Sequence, residues 1–280
     1  MKTADRYVVL GNPVAHSQSP FIHAEFARQT GEAVDYGRLL CPLDGFEATV
    51  RGFEAGGGRG CNVTVPFKFD APRLATHSTP RATLAAAANV LRFDADGWAA
   101  DNSDGIGLIR DIEVHAAQPL AGLRVLLIGA GGAAAGVLGP LLDARPAAVV
   151  VANRTLAKAQ ALVERHAALA TEHGAALSAA TLDAPGAAYD VVLNASASSL
   201  QAAAVPVPAS VLARGALAVD LMYGAAAEPF LAWARDAGAR PRDGLGMLVE
   251  QAAEAFYFWR GVRSDTAPVL QALRARLAAR

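Results

Sequence analysis

The residues with the clearest chemistry are 129–134, Gly-Ala-Gly-Gly-Ala-Ala, which follow an apolar run at 125–128. The segment fits G-x-G-x-x-A at the junction of a strand and a helix. Gly129 permits the tight turn, Gly131 lets the backbone approach a pyrophosphate with no Cβ in the way, and Ala134 lets the helix pack close to the strand. The helix N-terminus adds unpaired N–H groups and a partial positive charge. At the end of the next apolar run stand Asn153, Arg154 and Thr155, with Lys158 one turn on. A carboxylate there would accept from a ribose 2′-hydroxyl and repel a 2′-phosphate. Arg154 can instead grip that phosphate with two N–H groups, and Lys158 adds a point charge. NADP is therefore expected over NAD.

A second polar set lies upstream. Ser17 and Ser19 flank a helix start, where hydroxyls and helix N–H groups together can bind a carboxylate. Lys68 follows a strand end, and Asn62, Thr64, Asn89 and Asp104 stand where chains turn. Taken singly these have ordinary structural readings. Ser19 is a helix N-cap, Lys68 a surface lysine, and the others turn or cap residues.

The elements that must position these groups follow from the apolar pattern. Residues 7–10 read as a strand, residues 20–30 as a helix with Ser19 as N-cap and Gly31 as C-cap, and residues 36–41 as a second strand. A helix is expected over 46–55 and a strand over 61–65, stopped by Pro66. Residues 79–88 read as a helix, 90–93 and 97–100 as a hairpin, and 106–117 as a helix after the polar loop 101–105. From Arg124 the pattern becomes β-α-β, with strands at 125–128, 147–152, 191–193 and 216–220 and a helix over 156–170. That alternation implies a parallel sheet covered on both faces. Helices over 247–259 and 266–279 close the chain.

Composition bounds the partners. The chain has 280 residues, enough for two domains, with 53% hydrophobic residues, 18% charged residues and a net charge of −1. No basic excess points to nucleic acid or an anionic membrane. The run 125–142 carries no charge, but its glycines and Pro140 argue against a membrane span. The N-terminal segment has no long apolar stretch, so no signal peptide is expected. Cys41 and Cys61 are too few for a disulfide framework and read as core residues of a cytoplasmic protein. No metal site is expected.

Read together, HSQSP, GCNVTVPFK, AAAANVL and DNSDG resemble, in order and spacing, signature segments of the shikimate dehydrogenase family. GAGGAA, NRT, NAS, DLMYG and DGLGMLVEQAAEAF resemble its later segments, so the likeness runs from about residue 10 to 262. The resemblance implies an α/β fold of two domains. One, residues 1–104 and 241–280, binds substrate and is completed by the C-terminal helices. The other, residues 105–240, is a Rossmann-type NADP-binding domain. The implied reaction is reversible reduction of 3-dehydroshikimate to shikimate by NADPH, with a small-molecule substrate and a monomeric or homodimeric state. By similarity, Lys68 is the acid/base residue, paired with Asp104. Ser17, Ser19 and Tyr223 lie at the substrate carboxylate, and Asn62, Thr64, Lys68, Asn89, Asp104 and Gln251 around the ring hydroxyls. Gly129, Ala130, Gly131, Gly132 and Ala133 wrap the pyrophosphate, Asn153, Arg154, Thr155 and Lys158 the adenosine phosphate. Asn194, Ala195, Leu221, Gly244 and Met247 line the nicotinamide side. The alternatives are a quinate/shikimate dehydrogenase accepting NAD and a non-catalytic NADP-binding regulatory module. Four positions depart from the family pattern: Ser103 for Thr, Lys158 for Arg, Ala197 for Pro, and Pro80 where some members carry an acidic residue.

Overall fold

The computed structural model describes residues 3–196 and 205–279, so Ala197 lies outside the described residues. Along the chain run β1 (Asp5–Gly11), α1 (Ser19–Thr30), β2 (Val34–Leu40), α2 (Phe46–Ala55), β3 (Gly58–Val63), α3 (Ala71–Leu74), β4 (His77–Ser78), α4 (Pro80–Ala85), β5 (Val90–Asp94), β6 (Gly97–Asp101) and α5 (Asp104–Arg110). Then follow β7 (Arg124–Ile128), α6 (Gly132–Asp143), β8 (Ala148–Ala152), α7 (Leu156–Glu172), β9 (Ala176–Ala180), β10 (Tyr189–Asn194), β11 (Leu212–Asp220), α8 (Glu228–Asp236), β12 (Arg240–Arg242), α9 (Leu245–Arg260) and α10 (Thr266–Ala278). The chain forms two compact units, Met1–Gly107 with Leu248–Arg280, and Leu108–Met247. No helix among the described residues is long and apolar enough to cross a membrane.

The first unit holds a mixed six-stranded sheet in the order β2-β1-β3-β5-β6-β4. β1 pairs parallel with β2 and β3, whereas β5 runs antiparallel to β3 and β6. This topology gathers polar residues at one edge. Asn62 near the end of β3 pairs with Val90 at the start of β5, and Val90 pairs with Asp101 at the end of β6. α9 lies across the sheet through Trp259, whose ring stacks on Tyr7 at 4.5 Å and whose indole N–H donates to the Leu91 carbonyl at 3.0 Å.

The second unit is a wholly parallel sheet, β12-β11-β10-β7-β8-β9. Read from the other edge, its order is that of a dinucleotide-binding Rossmann fold, with the switch point between β7 and β10. Residues 125–128 of β7 are fully buried, as a strand covered on both faces requires. Outside the sheet, a π-helical turn at Asp111–His115 buries the Asp111 carboxylate completely, and Arg242 of β12 neutralises it at 2.8 Å.

Several local expectations differ from the structure. Ser19 is the first helical residue of α1, with Gln18 in the cap position and no side-chain cap bond. Ser17 supplies the bond instead, its hydroxyl accepting the Ser19 N–H at 3.2 Å. The strand expected to reach residue 65 ends at Val63. The Thr64 methyl packs where a Cβ on Gly11 would stand, 2.3 Å away, so this crossing requires glycine at 11. α4 ends at Ala85, three residues early, because Ala86 turns to φ 47°. The helix expected over 106–117 begins at Asp104 and loosens into the π-turn after Arg110. β9, α8 and β12 are additional elements that the alanine-rich pattern concealed.

His23 of α1 is wholly buried and stacked on Tyr36 at 4.1 Å. Burial drives its pKa down from 6.5 to about 3. The unfolded chain therefore takes up a proton near pH 6.5 that the native state refuses until about pH 3, so acid in that window destabilises the fold. The expected slope from this residue approaches roughly 1.4 kcal/mol per pH unit inside the window. Urea unfolding at pH 7, 5.5 and 4.5 should show a smaller loss for His23→Phe than for the native chain. Parallel curves would rule the effect out.

Candidate functional site

The polar edge of the first unit is built around Asp104. Its side chain is only 1% exposed. The Lys68 ammonium, on a 3₁₀ turn at Phe67–Phe69, donates to Asp104 Oδ2 at 2.6 Å. Asn89 Nδ2 donates to Asp104 Oδ1 at 2.9 Å and lies 3.0 Å from Ser103 Oγ and 3.1 Å from Gln251 Oε1. Asn89 Oδ1 accepts the Ser103 N–H at 2.8 Å. Asn62 Nδ2 donates to the Asn89 carbonyl at 3.2 Å, and Asn62 Oδ1 accepts the Tyr36 hydroxyl at 2.6 Å. Lys68, Asn62, Asn89, Asp104 and Gln251, far apart in sequence, thus form one connected network.

The backbone explains why the chain folds so here. The Lys68 carbonyl accepts the Ala88 N–H at 2.8 Å, and the Asp101 carbonyl accepts the Asn89 N–H at 3.1 Å. Residues 88 and 89 are therefore committed to the site and cannot continue α4. Asn102 bridges the Ala87 carbonyl at 2.8 Å and the Asp104 N–H at 3.1 Å, which fixes the loop carrying the carboxylate. A lysine with 14% side-chain exposure, held by a buried carboxylate, is an arrangement suited to presenting an ammonium proton in a fixed direction.

Ser17 and Ser19 lie at the α1 N-terminus with their hydroxyl oxygens 3.1 Å apart. Arg38 of β2 donates twice to the Ser17 carbonyl, at 3.0 and 2.6 Å, which holds the turn. Thr64 donates its N–H to the Leu10 carbonyl at 2.9 Å. Tyr36, Arg38 and Asn102 escaped sequence reasoning. Asn102 sits inside the quoted DNSDG, but Tyr36 and Arg38 lie in a strand with no motif to mark them.

In the second unit, Gly129 follows β7 at φ 108°, a conformation that disfavours any side chain, and a Cβ there would stand 3.0 Å from the Ala195 carbonyl. Gly131 occupies the N-cap of α6, with open space where a Cβ would be. Ala130, Gly131, Gly132 and Ala133 thus lead into a 12-residue helix, with backbone room for a phosphate at its start. Ala134 is fully buried against the sheet. At the end of β8, Asn153 donates to the Thr155 carbonyl at 2.9 Å and caps the turn. Arg154 and Lys158 are exposed, and neither side chain has a partner among the described residues. These features fit a dinucleotide with a 2′-phosphate. At the switch point Ala195 donates its N–H to the Ile128 carbonyl at 2.9 Å. Asn194 Nδ2 donates to Asp220 Oδ2 at 2.9 Å, and the Leu221 N–H donates to the Asn194 carbonyl at 3.0 Å. Asp220 is fully buried and also accepts the Met222 N–H at 2.8 Å, a role the sequence reading missed although it opens the quoted DLMYG. Gly244 is buried against Leu221, whose carbonyl would lie 2.3 Å from a Cβ. Met247 is buried, and Tyr223 precedes a short 3₁₀ turn of this unit.

Sequence models described as the shikimate dehydrogenase substrate binding domain, shikimate/quinate 5-dehydrogenase and the shikimate 5′-dehydrogenase C-terminal domain match residues 9–91, 112–219 and 244–274. A shikimate dehydrogenase (NADP(+)) of Methylibium petroleiphilum is 64% identical over 277 residues, 97% of this chain and 94% of the relative. The crystal structure of an Ael1 enzyme from Pseudomonas putida superposes with TM-score 0.86 at 48% identity, covering 96% and 98% of the two chains. Shikimate 5-dehydrogenase from Thermus thermophilus, in complex with NADP(H) and shikimate, superposes with TM-score 0.84 at 31% identity over 97% of this chain and 99% of its own.

Asn89 is 3% exposed and closes hydrogen bonds to Asp104, Ser103 and Gln251. Asn89→Ala should cost about 1–3 kcal/mol, because it leaves buried partners unsatisfied. Chemical denaturation measures this, and a change below about 0.5 kcal/mol would contradict the network.

Proposed function

The chain belongs to the shikimate dehydrogenase family, and we infer that it interconverts 3-dehydroshikimate and shikimate with NADP(H) as the redox partner. It is an oxidoreductase acting on a CH–OH group. The observation that carries the reading of the site is the Lys68–Asp104 pair, 2.6 Å apart and hydrogen-bonded through Asn89 to Gln251. A module that only binds NADP needs no such proton-transfer pair, and the near-full-length relatives named for NADP favour this reading over a quinate enzyme using NAD.

When bound, the reduced dinucleotide supplies the hydride that turns the ring carbonyl into an alkoxide. Lys68 Nζ donates its proton to that oxygen, and in the reverse direction neutral Lys68 takes the hydroxyl proton. Asp104 Oδ2 holds the ammonium on its approach. Asn89 keeps the Asp104 carboxylate from rotating, by binding its other oxygen. Asn62, Thr64, Asn89 and Gln251 orient the ring hydroxyls, and Ser17, Ser19 and Tyr223 take the carboxylate. All of this set but Tyr223 lies in the unit Met1–Gly107 with Leu248–Arg280, taken as the substrate domain, and Leu108–Met247, which carries Gly244 and Met247, is taken as the NADP domain; the divisions fall at 107/108 and 247/248 where 104/105 and 240/241 were expected.

In the cofactor domain, Gly129, Ala130, Gly131, Gly132 and Ala133 present backbone N–H groups to the pyrophosphate. Arg154 and Lys158, with no competing partner among the described residues, neutralise the 2′-phosphate, while Asn153 and Thr155 shape the turn that carries them. Asn194, Ala195, Leu221, Gly244 and Met247 form the nicotinamide side.

Two measurements test these roles. Lys68→Ala should lower kcat by at least about 10²-fold while the Kd for NADPH stays within about twofold. Near-normal turnover would remove Lys68 from the chemistry. Arg154→Ala should raise the KM for NADP about tenfold, the loss of one charge-assisted contact, and leave the KM for NAD unchanged. An equal effect on both cofactors would place Arg154 elsewhere.

A further inference from the structure

Arg81 leaves the first turn of α4 and is held between two carboxylates from different elements. Its Nε donates to Asp101 Oδ1 at 2.7 Å, and its Nη2 donates both to Asp101 Oδ2 and to Glu254 Oε1 at 3.1 Å. Asp101 is fully buried. Its Oδ1 also accepts the Thr79 hydroxyl at 2.6 Å and the Asn102 N–H at 2.8 Å. Asn102 Oδ1 in turn accepts the Asp104 N–H, and the Asp101 carbonyl accepts the Asn89 N–H, both at 3.1 Å. The loop that presents Asp104 and the turn that presents Asn89 are thus both anchored on Asp101. On the other side, Glu254 stands one turn of α9 beyond Gln251, whose Oε1 lies 3.1 Å from Asn89 Nδ2. Arg263 binds the second oxygen of Glu254.

We propose that Arg81 is a positioning residue, whose guanidinium ties Asp101 to Glu254 and so sets the Asp104 loop against the face of α9 that carries Gln251. The proposal rests on the roles given above to Lys68, Asp104 and Gln251. The planar fork of an arginine suits this task. It engages one carboxylate with two parallel N–H groups and still has a hydrogen for the second. A lysine can reach only one of them with comparable geometry. Arg81 also borders a cavity of about 400 Å³ lined by Arg92, Tyr257, Phe258 and Trp259 among others. Its side chain is 26% exposed. A shorter side chain at 81 therefore leaves the packed apolar core untouched.

Steady-state kinetics with shikimate, NADP binding and thermal melting of Arg81→Met and Arg81→Lys test this. Arg81→Met should lower kcat/KM for shikimate at least tenfold, with a rise in KM as the larger part, while the Kd for NADP stays within twofold. Arg81→Lys should recover part of that loss. A folded Arg81→Met whose kcat/KM stays within twofold of the native value overturns the proposal, as does an equal loss in shikimate and NADP binding. If Arg81→Met does not fold, Glu254→Gln provides the decision. It keeps the fork on Asp101 and should raise the shikimate KM at least threefold with kcat within twofold; an unchanged KM overturns the proposal. Lys68→Ala, run alongside, separates the two ideas. Retained turnover there defeats the reaction assignment, whereas its loss together with native kinetics in Arg81→Met defeats only the positioning role.

Discussion

The Asp104 carboxylate has almost no contact with solvent, and a charge so placed is stable only when every oxygen is matched. Lys68 answers one oxygen and Asn89 the other. Much of the first unit follows from that demand. Asn89 has to be held, so its N–H goes to the Asp101 carbonyl and its side-chain oxygen to the Ser103 N–H. Lys68 has to be held, so its carbonyl takes the Ala88 N–H. These bonds compete with α4 for the same backbone, and α4 ends at Ala85. The helix gives way to residues 87–89, whose backbone is held by Asn102, Lys68 and Asp101.

The cofactor unit rests on different physics. Its core is a parallel sheet of buried aliphatic strands, and the turn after β7 brings no charge inside. Gly129 is constrained by close backbone approach to Ala195, whereas at Gly131 the space is open. The two basic side chains beyond β8 are exposed and unpaired among the described residues. The first unit matches the buried charge of its polar network internally, and in the second the two basic side chains beyond β8 stay open to solvent. This division suits a reaction in which proton delivery needs fixed geometry while a dinucleotide must enter and leave.

Legibility in the sequence followed the range of the interactions. The glycine turn, Asn153-Arg154-Thr155 and the hairpin over β5 and β6 are local signals, each set by residues within a few positions. α2 was expected over 46–55 and is observed at Phe46–Ala55, because apolar spacing and the glycines after it define both ends. β9, β12 and the early stop of α4 were not legible. In an alanine-rich chain the helix and strand periods blur, and a neighbouring strand or a distant carbonyl decides the outcome. Tyr36, Arg38 and Arg81 carried no motif of their own, and Asp220, though it opens DLMYG, gave no sign of its role, since each acts on a residue at least 20 positions away.

The sequence by itself determined the cofactor turn, the alternation that makes a parallel sheet, and the residue types a reduction of this kind requires. Those are properties of backbone conformation and of side-chain chemistry within one short stretch. Only the tertiary structure decided that Lys68, Asn89, Asp104 and Gln251 share one hydrogen-bond network. The antiparallel turn of β5 against β3 and β6, and the packing of α9 across it, place them together. Long-range pairing fixes such distances, and no spacing along the chain encodes them.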